Sequence, residues 1–165
     1  MSYTVVYEVS PGYDPGWGLM ILTLLAVAAL GWALYTVLHR KKFRWSAQIL
    51  PYFLTVFFGF IACTYWISFF QLRNTVLQPY LDGDYQVVEG AVEDFEVTYK
   101  DGEELYETFT VEGLDFEIPD YWYGLGYSVL STEGGAIQQD GQRVRIRSVR
   151  YNDEWNLILK LEVSE

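Results

Sequence analysis

Arg143, Arg145 and Arg147 alternate along one predicted strand, so their side chains project from a single face as a basic ridge. An anion or an acidic partner would bind such a ridge. Each arginine would equally serve a cross-strand pair with a carboxylate, contributing roughly 0.2–1 kcal/mol. In a segment this acidic, pairing is the expected use, and the ridge is the only concentrated positive charge beyond the apolar runs. A second feature is Asp120–Tyr127, where Tyr121, Trp122, Tyr123 and Tyr127 are interleaved with Gly124 and Gly126. Aromatic anchors on an adaptable backbone suit recognition of a glycan, a peptide or another membrane protein. The same rings would also plug one end of a barrel or rest on a bilayer surface, and both readings stand.

The remaining titratable residues do not assemble into a known reaction centre. Asp82-Gly83-Asp84 and Asp101-Gly102-Glu103-Glu104 lack the alternating ligands and closing glutamate of a calcium loop, so they read as solvated turns and no metal is expected. His39 is the sole histidine and lies beside a basic cluster, which leaves no histidine triad or zinc site within one chain. Cys63 is the sole cysteine and forms no intrachain disulfide. Paired carboxylates could serve glycoside hydrolysis, but abundance is not placement. The expectation is a non-enzyme without a cofactor.

What must position these residues is set by two uncharged apolar runs, Trp17 to Leu38 and Trp45 to Leu72, joined by His39-Arg40-Lys41-Lys42-Phe43-Arg44. At about 1.5 Å per residue the first run extends about 33 Å, enough for a hydrocarbon core of about 30 Å. Both are predicted transmembrane helices, with Trp17, Trp45, Tyr52 and Trp66 towards their ends as interfacial rings. So short a linker forces a hairpin with both flanks on one side. Arg40, Lys41, Lys42 and Arg44 place the linker in the cytoplasm, because the N-terminal flank has no Lys or Arg. A cleaved signal peptide would carry its positive charge before the apolar stretch, so the first helix is expected to be retained. Ala26, Ala29 and Ala33 in the first helix, and Gly59, Ala62 and Cys63 in the second, are small residues at spacings that let backbones approach closely. They would pack the hairpin on itself or join copies into a homo-oligomer. Neither run contains Asp, Glu, Lys, Arg or His, so an ion path lacks its usual mark.

The chain therefore divides into an extracytoplasmic segment (1–16), a helical hairpin (17–78, basic loop 39–44) and an acidic β domain (79–165). Residues 80–165 hold 20 Asp and Glu against 6 Lys and Arg, a net charge of −14 against −11 for the whole chain. That charge repels phosphate backbones and anionic lipid headgroups, and it disfavours nucleic acid as a partner. Tyr85 to Tyr99 reads as one long strand with a bend at Gly90. Turns follow at Lys100-Asp101-Gly102-Glu103, Glu112-Gly113, Asp140-Gly141 and Asn152-Asp153. Trp155, Leu157, Leu159, Leu161 and Val163 fall on one face of the last strand. Five strands at this spacing predict a small OB-like barrel, with an open β-sandwich as the alternative.

The run Phe109-x-Val111-x-Gly113-x-x-Phe116, then Asp120-Tyr121, Gly126-Tyr127, Gly134-Gly135-x-Ile137, Gly141-x-x-Val144-x-Ile146 and Ile158-Leu159-Lys160-Leu161, resembles uncharacterised small bacterial membrane proteins with a two-helix anchor and a C-terminal OB-like β domain. These are turn glycines and core positions, which specify a fold and not a chemistry. The resemblance implies a bacterial inner (cytoplasmic) membrane, with the β domain and both termini outside the cytoplasm. The expected function is a non-catalytic, membrane-anchored interaction or accessory module, with the lipid bilayer and another envelope or membrane protein as partners. Two alternatives remain: a small subunit of a transport or envelope-maintenance complex, held mainly through its helices, and an immunity or inhibitor protein that neutralises a cationic partner.

Overall fold

The computed structural model describes residues 2–12, 16–39, 45–100, 103–119, 125–151 and 155–164, without the side chains of 45–48, 100, 103–105 and 155. They belong to two compact units, Tyr13–Gln71 and the combination of Met1–Gly12 with Leu72–Glu165.

The first unit holds α1 (Gly16–Leu38) and α2 (Trp45–Leu72), which match the two apolar runs. Both are long and apolar enough to be candidate membrane spans. Four threonine hydroxyls are satisfied internally: Thr23, Thr36, Thr55 and Thr64 donate to the carbonyls of Leu19, Ala33, Pro51 and Ile61 at 2.7–2.8 Å. Trp66 Nε1 donates to Thr23 Oγ1 at 3.0 Å, a bond that ties α2 to α1. Of the small residues, Ala29, Ala33 and Ala62 are buried, Ala26 and Gly59 half-buried and Cys63 exposed. Large apolar side chains such as Leu24, Val27, Val56, Phe60 and Ile67 are more than 60% exposed, leaving wide apolar faces open to a lipid or protein neighbour. The basic positions Arg40, Lys41, Lys42 and Arg44 lie outside the described residues.

The second unit begins in sequence with β1 (Tyr3–Glu8), a strand from the segment taken above as a short flank. Its helical part is a π-helical turn, Arg73–Leu77, and a short α3 (Gln78–Asp82), which bury Val76, Leu77 and Tyr80. Gly83 at φ 87° ends α3, and Asp84 N donates back to Pro79 O at 2.8 Å, so Asp82-Gly83-Asp84 is a helix C-cap. The strands that follow are β2 (Gln86–Ala91), β3 (Glu93–Lys100), β4 (Glu103–Val111), β5 (Leu114–Pro119), β6 (Arg143–Tyr151) and β7 (Trp155–Ser164).

These strands form two open antiparallel sheets, and the expected OB-like barrel is not present. Sheet A has the order β1-β7-β6-β2 and sheet B the order β3-β4-β5. Two features keep them open. The edge of β7 through which a barrel would continue is filled by β1, with Tyr3 opposite Ser164 and Glu8 opposite Lys160. The long strand from Tyr85 divides at Val92 and does not simply bend at Gly90: β2 pairs with β6, and β3 pairs with β4. Val92 itself is pinned there, donating to Gln142 O at 2.9 Å and accepting from Gly141 N at 2.8 Å. A strand that changes sheets at such a corner is a feature of packed sheets.

One apolar core serves both sheets, with Val88, Val144, Ile146, Ile158 and Leu161 from sheet A against Phe109, Val111, Phe116 and Ile118 from sheet B. This is nearer to the alternative of an open sandwich. Glu112 at φ 50° and Gly113 at φ 77° form the tight turn of the β4–β5 hairpin, as the sequence predicts. The register slips between Arg147 and Ser148, where Leu159 is the extra residue on β7. That bulge brings Ile158 into the main core along with Leu161, so the strict alternation expected for β7 is broken at its middle.

Candidate binding cleft

In sheet B, register places Thr110 opposite Asp115, Thr108 opposite Glu117 and Glu96 opposite Thr108. Threonines suit strand positions, and between them the acidic side chains gather on one face with period two. Phe109 and Phe116, opposite one another on the other face, stack with centroids 5.4 Å apart and hold β4 and β5 in this register.

A cleft of about 380 Å³ opens beside this acidic face, with Asp94, Glu96, Asp115 and Glu117 in its wall together with Tyr127 and the Asn156–Ile158 stretch of β7. No lysine or arginine is among its described lining residues. Thr110 Oγ1 donates to Asp115 Oδ1 at 3.0 Å, and Asn156 Nδ2 donates to Asp115 O at 2.9 Å, so Asp115 is held from both sheets. Partial burial pushes the Glu117 carboxyl above its ordinary value. Four carboxylates beside apolar surface can receive a cationic group. Among the described residues no cluster of His, Cys, Asp and Glu has metal-ligand geometry.

The aromatic segment contributes one described ring. Tyr127 is buried, meets Tyr7 of β1 edge-on at 5.6 Å and accepts a hydrogen bond from Ala136 N at 2.6 Å. Burial raises its phenol pKa, as it does that of Tyr7. Tyr121, Trp122 and Tyr123 lie outside the described residues. Glu107, fully buried, accepts from Ser131 N at 2.7 Å and ties β4 to the 3₁₀ turn Ser131–Glu133.

The arginine ridge separates into unlike members. Arg145 bonds Glu89 Oε2 at 2.7 Å and lies 3.8 Å from Glu162, with its guanidinium 4.5 Å from the Tyr3 ring centroid. Glu89 is held below the usual carboxylate range, first by hydrogen bonds from Arg145 and Tyr3. Arg143 is exposed. Arg147 is set against Tyr85, 5.3 Å from the ring centroid, and donates to its hydroxyl at 3.3 Å.

The cleft was not legible as a site, because its acids are dispersed among many others. The available signal was Asp115-x-Glu117 across the hairpin from Thr108-x-Thr110. No known protein family, curated protein or solved structure matches the chain.

Proposed function

We propose that this protein is a membrane-anchored, non-catalytic binding module whose β domain stands outside the cytoplasmic membrane and receives a cationic partner in the acidic cleft. The observation that carries the reading is the cleft itself, four carboxylates around apolar surface with no cation in its described lining. The anchor is α1 and α2, whose exposed apolar faces suit lipid. Pairing of β1, before α1 in sequence, with β7, after α2, supports an even number of crossings. The four basic residues of the 39–44 linker support its cytoplasmic location, and hence an outward β domain.

The test uses the full chain in nanodiscs and a lysine-rich peptide as the probe. Binding is expected to weaken at least tenfold in Asp115→Asn/Glu117→Gln and to fall with rising salt, because screening shortens the reach of exposed charges. Unchanged binding in that variant would overturn the cleft as the site. Orientation is tested separately with Gln139→Cys in a Cys63→Ala background. Labelling of intact cells by a membrane-impermeant thiol reagent is expected, and protection that ends on lysis would reverse the topology.

A further inference from the structure

The outer face of sheet A carries Arg143, Arg145, Arg147 and Lys160, and register decides which of them meets a carboxylate. Arg145 stands between Glu89 of β2 and Glu162 of β7, and is paired with both. Lys160 lies 3.4 Å from Glu8 and 3.4 Å from Glu162. Arg147 stands between Val87 and Lys160, so neither cross-strand neighbour is an anion. It forms no ion pair among the described residues, and its Nε is buried without a hydrogen-bond acceptor there. A guanidinium presents five N–H donors in a plane, and at Arg147 the hydroxyls of Tyr85 and Tyr80 engage only part of them.

This guanidinium lines an open cavity of about 650 Å³ with Tyr80, Tyr85, Ser10, Pro11 and Gly83. The Tyr80 and Tyr85 rings are 5.2 Å apart. In sequence, the lining residues lie shortly before one apolar helix and shortly after the other. Pro11 is five residues before Gly16, and Tyr80 is eight residues after Leu72. Covalent reach alone keeps Pro11 within about 18 Å of the first residue of α1, whatever the arrangement of the two units.

We propose that the Arg147 cavity binds the phosphate of an anionic phospholipid headgroup. A forked guanidinium suits phosphate oxygens, and tyrosines are favoured at headgroup depth. Glu8, the carboxylate at the rim, is engaged by Lys160. The domain's net negative charge, including Asp82 and Asp84 on either side of Gly83, opposes an anionic headgroup in general, so binding here depends on the local fork of Arg147. The proposal rests on reading α1 and α2 as membrane spans and is independent of the acidic cleft.

The experiment is native mass spectrometry of the full chain in detergent, with phosphatidylglycerol, phosphatidylcholine and inorganic phosphate as separate probes. Phosphatidylglycerol adducts are expected on the unaltered chain and on Arg145→Gln, and at least tenfold fewer on Arg147→Gln, with a smaller effect for phosphatidylcholine. Matching thermal melts of the two variants would exclude unfolding as the cause. Equal phosphatidylglycerol retention by Arg147→Gln and the unaltered chain would overturn the site. Phosphate binding that depends on Arg147 without any phosphatidylglycerol preference would overturn the lipid and assign the cavity to a soluble phosphate ester. Resistance of the chain to carbonate extraction from membranes is read in parallel. Its loss would count against the spans themselves and not against the anion chemistry of Arg147.

Discussion

Lys160 Nζ lies 3.4 Å from Glu8 Oε2, so a residue that precedes both apolar helices in sequence is ion-paired with one that follows them. The pair sits on the β1–β7 ladder, which runs from Tyr3 opposite Ser164 to Glu8 opposite Lys160. Just past the ladder, Val9 N donates to Leu159 O at 2.8 Å and the Val9 side chain is buried. The β domain is thus discontinuous in sequence, completed by residues from before α1.

A fragment from Tyr80 to Glu165 lacks β1 and should be destabilised by about 3 kcal/mol or more, since it exposes the edge of β7 and loses the burial of Tyr7 and Val9. Fusing residues 2–12 through a flexible linker to residues 72–165 should restore a cooperative transition. Near-UV circular dichroism melts of both proteins check this, and equal melting temperatures would contradict it.

Gly135 has no room for a side chain. A Cβ there would meet the carbonyl oxygen of Val129 and lie 2.7 Å from that of Leu130, both backbone atoms that cannot swing aside. Gly135→Ala should cost about 2–3 kcal/mol. A Cβ at Gly90 would meet only the Glu112 side chain, 2.9 Å away at Cγ, which can rotate clear. Gly90→Ala should cost less than about 1 kcal/mol. Urea denaturation of the two variants separates a backbone clash from a yielding one.

Glu112 adopts φ 50° in the two-residue β4–β5 turn, a left-handed conformation that asparagine tolerates better than glutamate. Glu112→Asn should therefore stabilise the β domain by about 0.5–1 kcal/mol. The expected observation is a higher denaturation midpoint at an unchanged m-value.

Glu117 and Glu89 should respond to pH with opposite signs. Burial raises the folded pKa of Glu117, so its contribution to stability is full below the unfolded value and is lost as pH rises through the folded one. Glu117→Gln should leave stability unchanged in acid and increase it at neutral pH. Hydrogen bonds from Arg145 and Tyr3 lower the folded pKa of Glu89, whose contribution is present above the unfolded value and lost as pH falls through the folded one. Glu89→Gln should therefore lower stability at neutral pH and converge on the unaltered chain in acid. Melting temperatures from pH 3 to 8 read both curves.

The helices are legible in the sequence because each is an uninterrupted apolar run, and their ends differ from the structure by one residue at most. The Glu112-Gly113 hairpin is legible because its signal is local. β1 is harder to see, although Tyr3-Thr4-Val5-Val6-Tyr7 has strand composition, because its partner is at the other end of the chain. The barrel expectation fails for the same reason, since closure depends on which strand fills the edge of β7. Alternation reveals the arginine ridge, but only register shows that Arg145 meets Glu89 while Arg147 meets Val87.

The strand order also dictates a sequence of events during synthesis. β1 emerges from the ribosome before both helices, but its hydrogen-bonding partner β7 is not translated until α1 and α2 have been made. For the whole of that interval the backbone of Tyr3–Glu8 must wait unpaired. On the proposed reading of α1 and α2 as membrane spans, the native sheet assembles only after both have crossed, and misinsertion of one helix would leave β1 and β7 on opposite sides of the bilayer and the domain unfinished.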